Sequence, residues 1–371
     1  MRSLPIELQE EILQYLPEIA LSNLSKTCKR NSVLATPFLY RKLAINIRLK
    51  SATRSPSQKI KSYAANNWDK CRYLRSIAIA CREPAAWLLK GRDMLVSLHI
   101  LLIHLPSAGL VSFAWEVECS TEPDILRHLP RHLGKLDTDA SLLDHSRPFD
   151  NMLELTCRRL SFKNADYFMQ QLLQVGVHLQ RLCISLDSSA TSVLSPSVLQ
   201  TLRHASNHRS NFGQLKYIEL HNVYFQEWPF RNMSSVQTLS LQQCPNVDIA
   251  LADFVVQRPD LACLKTLRLF LCSDSERISA VLQYFREVAE LEELHFLTQG
   301  YHSYPLNWIL PFSNTLKNLV LESRQAWTDP TTVNPYRLED LLAIVNTCTS
   351  LQTLGIPVVI KRFLRVRTPS Q

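Results

Sequence analysis

Twelve times between residues 74 and 356 the chain repeats one spacing of apolar positions, L-x-x-L-x-L with small variations. It reads LRSIAI (74–79), LVSLHI (95–100), LVSFAW (110–115), LGKLDT (133–138), CRRLSF (157–162) and LQRLCI (179–184). It continues as LKYIEL (215–220), VQTLSL (236–241), LKTLRL (264–269), LEELHF (291–296), LKNLVL (316–321) and LQTLGI (351–356). The closing L-x-L alternates, which is the period of a strand with one buried face. A helical pattern usually follows: Ile278, Val281, Leu282, Phe285 and Val288 fall on one face after LKTLRL, and Ile249, Phe254 and Val255 follow VQTLSL. ADYFMQQLLQV (165–175), PSVLQTLRHAS (196–206) and YRLEDLLAIV (336–345) read the same way. From residue 157 the units start 22, 36, 21, 28, 27, 25 and 35 residues apart. One strand and one helix cannot bury both their apolar faces, so such units must stack, with parallel strands inside and helices outside. An α/β fold is therefore expected, with irregular loops at 116–150 and 322–337.

The N-terminus has a different rhythm. Leu8, Ile12, Leu13 and Leu16 recur at helical spacing over 4–17, with Ser3 as a cap, Pro5 in the first turn and Pro17 closing the helix. EIALSNLSKTCKR (18–30) sets Leu21, Leu24 and Cys28 on one face of a second helix. NSVLAT (31–36) predicts a third that stops before Pro37, with PFLYRKL starting a new turn. Between Ile47 and Trp68 the composition changes to Arg48, Lys50, Arg54, Lys59 and Lys61 with Ser51, Ser55, Pro56 and Ser57 and no acidic residue. This reads as an exposed basic linker. The expected organisation is 1–46 helical module, 47–70 linker, 71–361 repeats and 362–371 tail.

The first stretch resembles an F-box. The residues that carry the resemblance are Leu4-Pro5, Glu7-Leu8, Ile12-Leu13, Leu16, Leu21, Leu24, Cys28-Lys29-Arg30 and Pro37-x-Leu39-Tyr40-Arg41, with Asn31-Ser32 where many F-boxes carry a Trp. Residues 74–356 resemble the irregular repeats of F-box/leucine-rich-repeat proteins of the fungal kind. In that repeat class the Cys of L-x-x-L-x-L-x-x-C, here Cys244 and Cys272, turns inward and steadies the loop. The resemblance implies a substrate-recognition subunit of an SCF-type cullin–RING ubiquitin ligase. Its F-box would dock a Skp-type adaptor, and through it a cullin, by way of Leu4, Pro5, Leu8, Ile12, Leu16, Leu24 and Tyr40. Ile12, Leu13 and Leu24 equally suit the module's own core. The other reading is an F-box/repeat interaction scaffold without ligase activity. In either case the third and fifth strand positions, and the one after the last L, would face a protein substrate on the concave side. Those rows hold Arg159, Arg181, Tyr217, Glu219, His221, Gln242, Arg268, Phe270 and His295, together with Lys163 and Cys183.

Composition narrows the remaining choices. Seven Gly in 371 residues leave no G-x-G-x-x-G and no G-x-x-x-x-G-K-[ST], and no G-x-S-x-G occurs. No catalytic residue and no cofactor is implied. Ten scattered Cys form no C-x-x-C pair, which argues against a zinc ribbon. Reduced core cysteines in the cytoplasm or nucleus are expected, and MRSLPIELQEEIL does not read as a secretory signal. His128/His132 is broken by Pro130, and His204/His208 lacks the Glu of a zincin and sits beside Arg203 and Arg209, so no metal is expected. A net charge of +8 is too dilute over this length to indicate nucleic acid, and LVSLHILLIHL (95–105) is too short to span a membrane.

Overall fold

The computed structural model describes residues 4–49, 55–66, 68–106, 109–117, 123–139, 143, 149–160, 168, 172, 174–186, 212–225, 228, 230, 233–257, 260–271, 276–298, 306–323 and 338–356. The chain divides into two compact units, Met1–Leu155 and Thr156–Gln371.

The first unit opens with α1 (Ile6–Tyr15), α2 (Glu18–Ser25) and α3 (Lys29–Leu39). Pro5 and Pro17 stand at the N-caps of α1 and α2, and the Cys28 side chain caps α3 by accepting from the Asn31 N–H at 3.5 Å. The expected break before Pro37 does not occur. Pro37 lies two residues from the end of α3, where its missing N–H removes a bond from the last turn only. Leu13, Leu21 and Ala35 form a small core, with Leu16, Leu24, Leu34, Phe38 and Leu39 packed around it.

No linker separates these helices from the first strand. β1 (Lys42–Ile47) begins three residues after α3 and pairs in parallel with β2 (Ser76–Cys81) from Lys42↔Ser76 to Ile47↔Cys81. Its alternation Leu43-x-Ile45-x-Ile47, all three buried, lies within the stretch expected as the end of the helical module. The stretch expected as a basic loop contains α4 (Pro56–Asn66) and α5 (Trp68–Cys71). Ser55 and Pro56, read above as loop formers, are a helix start: Ser55 Oγ accepts from the Gln58 N–H at 3.2 Å, and Pro56 occupies the first helical position. Ile60 is fully buried.

LVSLHI (95–100) is not a strand. It lies inside α6 (Pro84–His104), whose buried face includes Met94, Leu95, Leu98, Leu101 and Leu102. L-x-x-L spacing suits a helix as well as a repeat, and no Pro interrupts the run from Ala85 to Leu105. β3 (Ser112–Val117) and β4 (Lys135–Asp139) complete the unit, each parallel to its predecessor.

The second unit continues the scheme. Its strands are β5 (Glu154–Leu160, whose first two residues belong to the first unit), β6 (Arg181–Leu186), β7 (Tyr217–His221), β8 (Thr238–Gln242), β9 (Thr266–Leu271), β10 (Glu293–Thr298), β11 (Asn318–Ser323) and β12 (Thr353–Gly355). β6 to β12 pair in chain order, all parallel, and β5 lies next to β6. Helices α7 (Val247–Gln257), α8 (Glu276–Val288), α9 (Leu306–Ile309) and α10 (Leu338–Thr347) fall between strands. The helices proposed at 165–175 and 196–206 lie largely outside the described residues, as do Cys272, Lys163 and 324–337.

One hydrogen-bond device recurs from strand to strand. The carbonyl just before a strand accepts two successive N–H groups of the next: Arg75 and Ser76 give to Arg41, Lys216 and Tyr217 to Gln180, Gln237 and Thr238 to Lys216, Lys317 and Asn318 to Glu292. This fork sets the register, so equivalent strand residues can be matched directly. Five residues beyond the first residue of β5, β7 and β8 stand Arg159, Asn222 and Gln243, with φ of 51°, 58° and 53°. With so few glycines, ordinary side chains take the left-handed turn, at a local cost of about 1–2 kcal/mol each. The next residue then points into the core: Leu160, Val223 and Cys244 are all buried. Cys244 donates its thiol hydrogen to the carbonyls of Leu220 and Gln242, both at 3.3 Å, the inward turn expected of it.

At the strand entrances Glu292 accepts from both Lys265 and Lys317 at 2.7 Å. These two hydrogen bonds hold its carboxyl down to about 2. A carboxyl lowered on folding contributes stability that is present above the unfolded value, about 4.3, and lost as pH falls through the folded one. Glu292 is therefore expected to stay ionised at pH 3 in a carboxyl-resolved NMR titration. Lys265→Ala with Lys317→Ala should return its midpoint towards 4.

Candidate interaction surfaces

Two surfaces collect the residues singled out from the sequence, one in each unit. On α1 two stripes run side by side. Gln9, Leu13 and Leu16 turn towards the small core, while Leu8, Ile12 and Tyr15 turn to solvent, 46%, 41% and 78% exposed. The exposed stripe continues past Pro17 into Ile19, 77% exposed, and Leu4 and Pro5 are exposed at its start. Ile6 and Val33 add further exposed apolar area. Of the seven expected adaptor contacts, Leu4, Pro5, Leu8 and Ile12 are thus exposed, whereas Leu16 and Leu24 pack into the module's interior. Tyr40 is half-buried, with Lys70 Nζ 4.7 Å from its ring centre and donating to its hydroxyl at 3.3 Å. Tyr15, Ile19 and Val33 were not anticipated. Adding 100° per residue along α1 from Leu8 would have found Tyr15.

The second surface is the half-exposed face of the strands in the second unit. Register places Tyr217, Glu219 and His221 on β7 beside Arg181, Cys183 and Ser185 on β6, and beside Thr238, Ser240 and Gln242 on β8. Glu219 is the hub. Tyr217 donates its hydroxyl to Oε2 at 2.7 Å, Gln242 donates Nε2 to Oε1 at 2.9 Å, and the Cys183 thiol approaches Oε2 at 3.8 Å. The Arg181 guanidinium lies 3.8 Å from the Tyr217 ring centre. Burial, then the hydrogen bond to Glu219, pushes the Tyr217 phenol up to about 12, and burial pushes the Cys183 thiol up as well. Both groups are thereby favoured in their protonated form at neutral pH.

Farther along, Arg268 pairs with Glu293 at 3.8 Å, and Glu293 also accepts from Thr266 and Asn318. His295 lies 3.7 Å from Glu322. Burial holds its imidazole below the usual range, and Arg268 acts in the same direction against Glu322. Phe270, expected as an exposed aromatic, is 2% exposed and forms part of a recess floor.

Arg159 is the residue that register corrects. Leu153 and Glu154 give the forked hydrogen bonds to Gly134, so the unit here is Met152-x-x-Leu155-x-Cys157, five residues before the expected CRRLSF. The half-exposed row of β5 is then Glu154, Thr156 and Arg158, while Arg159 takes the left-handed turn. Arg158, not Arg159, shares a recess with Arg181.

Among the described residues no group of three or more His, Cys, Asp or Glu side chains is gathered as a metal site would require. His128 stacks edge-on with His99, ring centres 4.2 Å apart, and His204 and His208 lie outside the described residues. Cys71, Cys81, Cys157, Cys183, Cys244 and Cys348 are buried, and Cys28 and Cys263 are exposed. No described helix is long and apolar enough to cross a membrane.

No curated protein matches the chain significantly. Residues 1–46 match the F-box-like family model, the span of α1, α2, α3 and most of β1. The chain thus carries an F-box-like domain at its N-terminus followed by a series of parallel strands, and such domains typically bind Skp-type adaptors as non-catalytic parts of SCF-type assemblies.

Proposed function

We propose that this chain is a substrate-recognition subunit of an SCF-type cullin–RING ubiquitin ligase. Residues 1–46 dock a Skp-type adaptor, which carries the cullin, and the strand repeats of 71–361, read as irregular leucine-rich repeats, hold a protein substrate on their open face. The observation that supports this reading most is the exposed apolar stripe Leu8–Ile12–Tyr15–Ile19 on the F-box-like module. A module with so small a core gains stability when that stripe is buried in a partner, at roughly 25 cal/mol per Å2 of apolar surface. The Arg181–Tyr217–Glu219–Gln242 platform supplies the residue types that dominate protein interfaces, aromatic and guanidinium groups held rigid by neighbours. The chain's contribution to ubiquitin transfer is proximity: it raises the effective concentration of substrate lysines near the conjugating enzyme.

Affinity purification of the full chain from cells tests this. Adaptor, cullin and ubiquitin conjugates are expected with the wild type, and all three are lost with Leu4→Ala/Pro5→Ala/Leu8→Ala. Adaptor without cullin or conjugates would replace the ligase reading with that of a scaffold.

A further inference from the structure

Away from the strand face, the second unit holds a groove between two of its helices. α7 contributes Val255, the residues before β9 contribute Asp260 and Leu261, and α8 contributes Ala280, Glu287 and Val288. Glu287 and Val288 follow Ala280 by two helical turns, so all three lie on one face of α8, and the groove runs along it for roughly 12 Å at 1.5 Å per residue. Leu261 is fully buried at its floor, beside Tyr284. Its volume, about 530 Å3, falls within the roughly 300–1,000 Å3 of binding pockets.

The rim is acidic. Asp260 Oδ1 accepts from the Ala262 N–H at 3.1 Å, and Glu287 Oε1 accepts from Gln283 Nε2 at 3.4 Å. Among the described residues neither carboxylate has an ion-pair partner, and no Lys or Arg lines the groove. The second oxygen of each is therefore open to a donor from outside. Apolar surface adjoins on the α7 side. At 100° per residue, Ala252, Val256 and Ile249 follow Val255 around the helix, away from the buried Leu251 and Phe254. Val256 is 81% exposed and Ile249 39%.

We propose that this groove docks a basic segment of a partner protein. The aliphatic stem of a Lys or Arg lies against Val255 and Val288, its charged head meets Asp260 and Glu287, and a neighbouring apolar side chain covers Val256. A long basic side chain suits the site because its stem is apolar and only its tip is charged. An acidic segment is repelled by both carboxylates, so the rim selects its partner by charge. This is a second docking surface, on the helix side of the unit, and it stands independently of the role given to the strand face above.

A displayed library of random dodecapeptides, selected on the purified full chain and counter-selected on its Ala280→Trp variant, tests this. Ala280 is exposed, so an indole there fills the groove without entering the core, and an unchanged melting temperature confirms it. Enriched peptides are expected to carry Lys or Arg together with Leu, Ile, Val, Met or Phe. A synthetic peptide from that set should lose about tenfold in affinity when its Lys becomes norleucine or its Arg citrulline. Asp260→Asn with Glu287→Gln should cost about as much, and the two losses should not add. The amide at 260 keeps the acceptor for the Ala262 N–H, so this variant stays folded. Enrichment of uncharged or acidic peptides, no enrichment that Ala280→Trp removes, or affinity indifferent to the carboxylate substitutions would each overturn the inference. Affinity that rises with Lys361→Gln, Arg362→Gln, Arg365→Gln and Arg367→Gln would overturn it too, by assigning the groove to this chain's own basic segment.

Discussion

Leu8→Asp combined with Ile12→Asp is expected to abolish adaptor binding while the N-terminal helices stay folded. Both side chains lie on the solvent side of α1, 46% and 41% exposed, so a carboxylate at either position is hydrated in the free protein and costs it little. In a docked complex the same carboxylates would be desolvated against an apolar surface without a partner. Interface hot spots of this kind are worth about 2 kcal/mol or more each, so two should weaken binding by at least roughly a thousandfold. Leu13→Ala is the contrasting change. Leu13 is fully buried, and truncating it should destabilise the module by about 2–5 kcal/mol. Calorimetry with purified adaptor, alongside circular dichroism of each variant, separates the outcomes. Binding that survives the double Asp variant would mean that the stripe is not the docking surface.

The same pair of neighbours shows how far the sequence could be read. Ile12 and Leu13 are consecutive and equally apolar, yet one is 41% exposed and the other 0%. Consecutive helical residues point 100° apart, and nothing in the pattern of α1 alone says which apolar stripe belongs to the core. That is decided by α2 and α3, whose Leu21 and Ala35 complete the core around Leu13. The expected contacts therefore divided: Leu8 and Ile12 point outward, and Leu16 and Leu24 pack inward.

The strands were more legible because their signal is local. Eleven L-x-x-L-x-L segments fall on or beside strands, since alternation over so short a run fixes which side chains face inward. The misplaced matches have two causes. LVSLHI and CRRLSF fit the template at the wrong place, because L-x-x-L also satisfies a helix and because Arg158-Arg159 interrupts alternation at the left-handed turn. A shift of register moves every side chain to a new place, so Arg158 was overlooked in favour of Arg159. Long-range contacts left no such trace. The Glu219 hub draws its partners from three strands, and only the fork of hydrogen bonds at each strand entrance brings them level.

Trp228→Ala is expected to be the most damaging single truncation in the second unit. Trp228 is fully buried, with ring centres 5.7 Å from Phe225, 6.0 Å from Phe230 and 5.0 Å from Phe254. Phe230 packs on Phe212 and Phe254 on Phe285, so the contacts pass from the segment before β7 to helix α8, with Trp228 in the middle. No described helix lies between β7 and β8, and this aromatic group does there what α7 and α8 do farther along: it covers the strands' buried face. Removing the indole forfeits its transfer energy and leaves a cavity that the five remaining rings and a rigid parallel sheet close poorly. The expected loss is about 3–5 kcal/mol, a large part of the 5–15 kcal/mol that holds a typical domain. Trp228→Phe should cost far less, because an aromatic ring stays and the buried indole N–H finds no hydrogen-bond partner among the described residues. Urea unfolding of both variants provides the test. Equal losses would mean that the packing around Trp228 is not what stabilises this unit. A loss confined to Ala, with an unchanged denaturant slope, would show that the rings hold β7 and β8, and with them Glu219 and Gln242, in place.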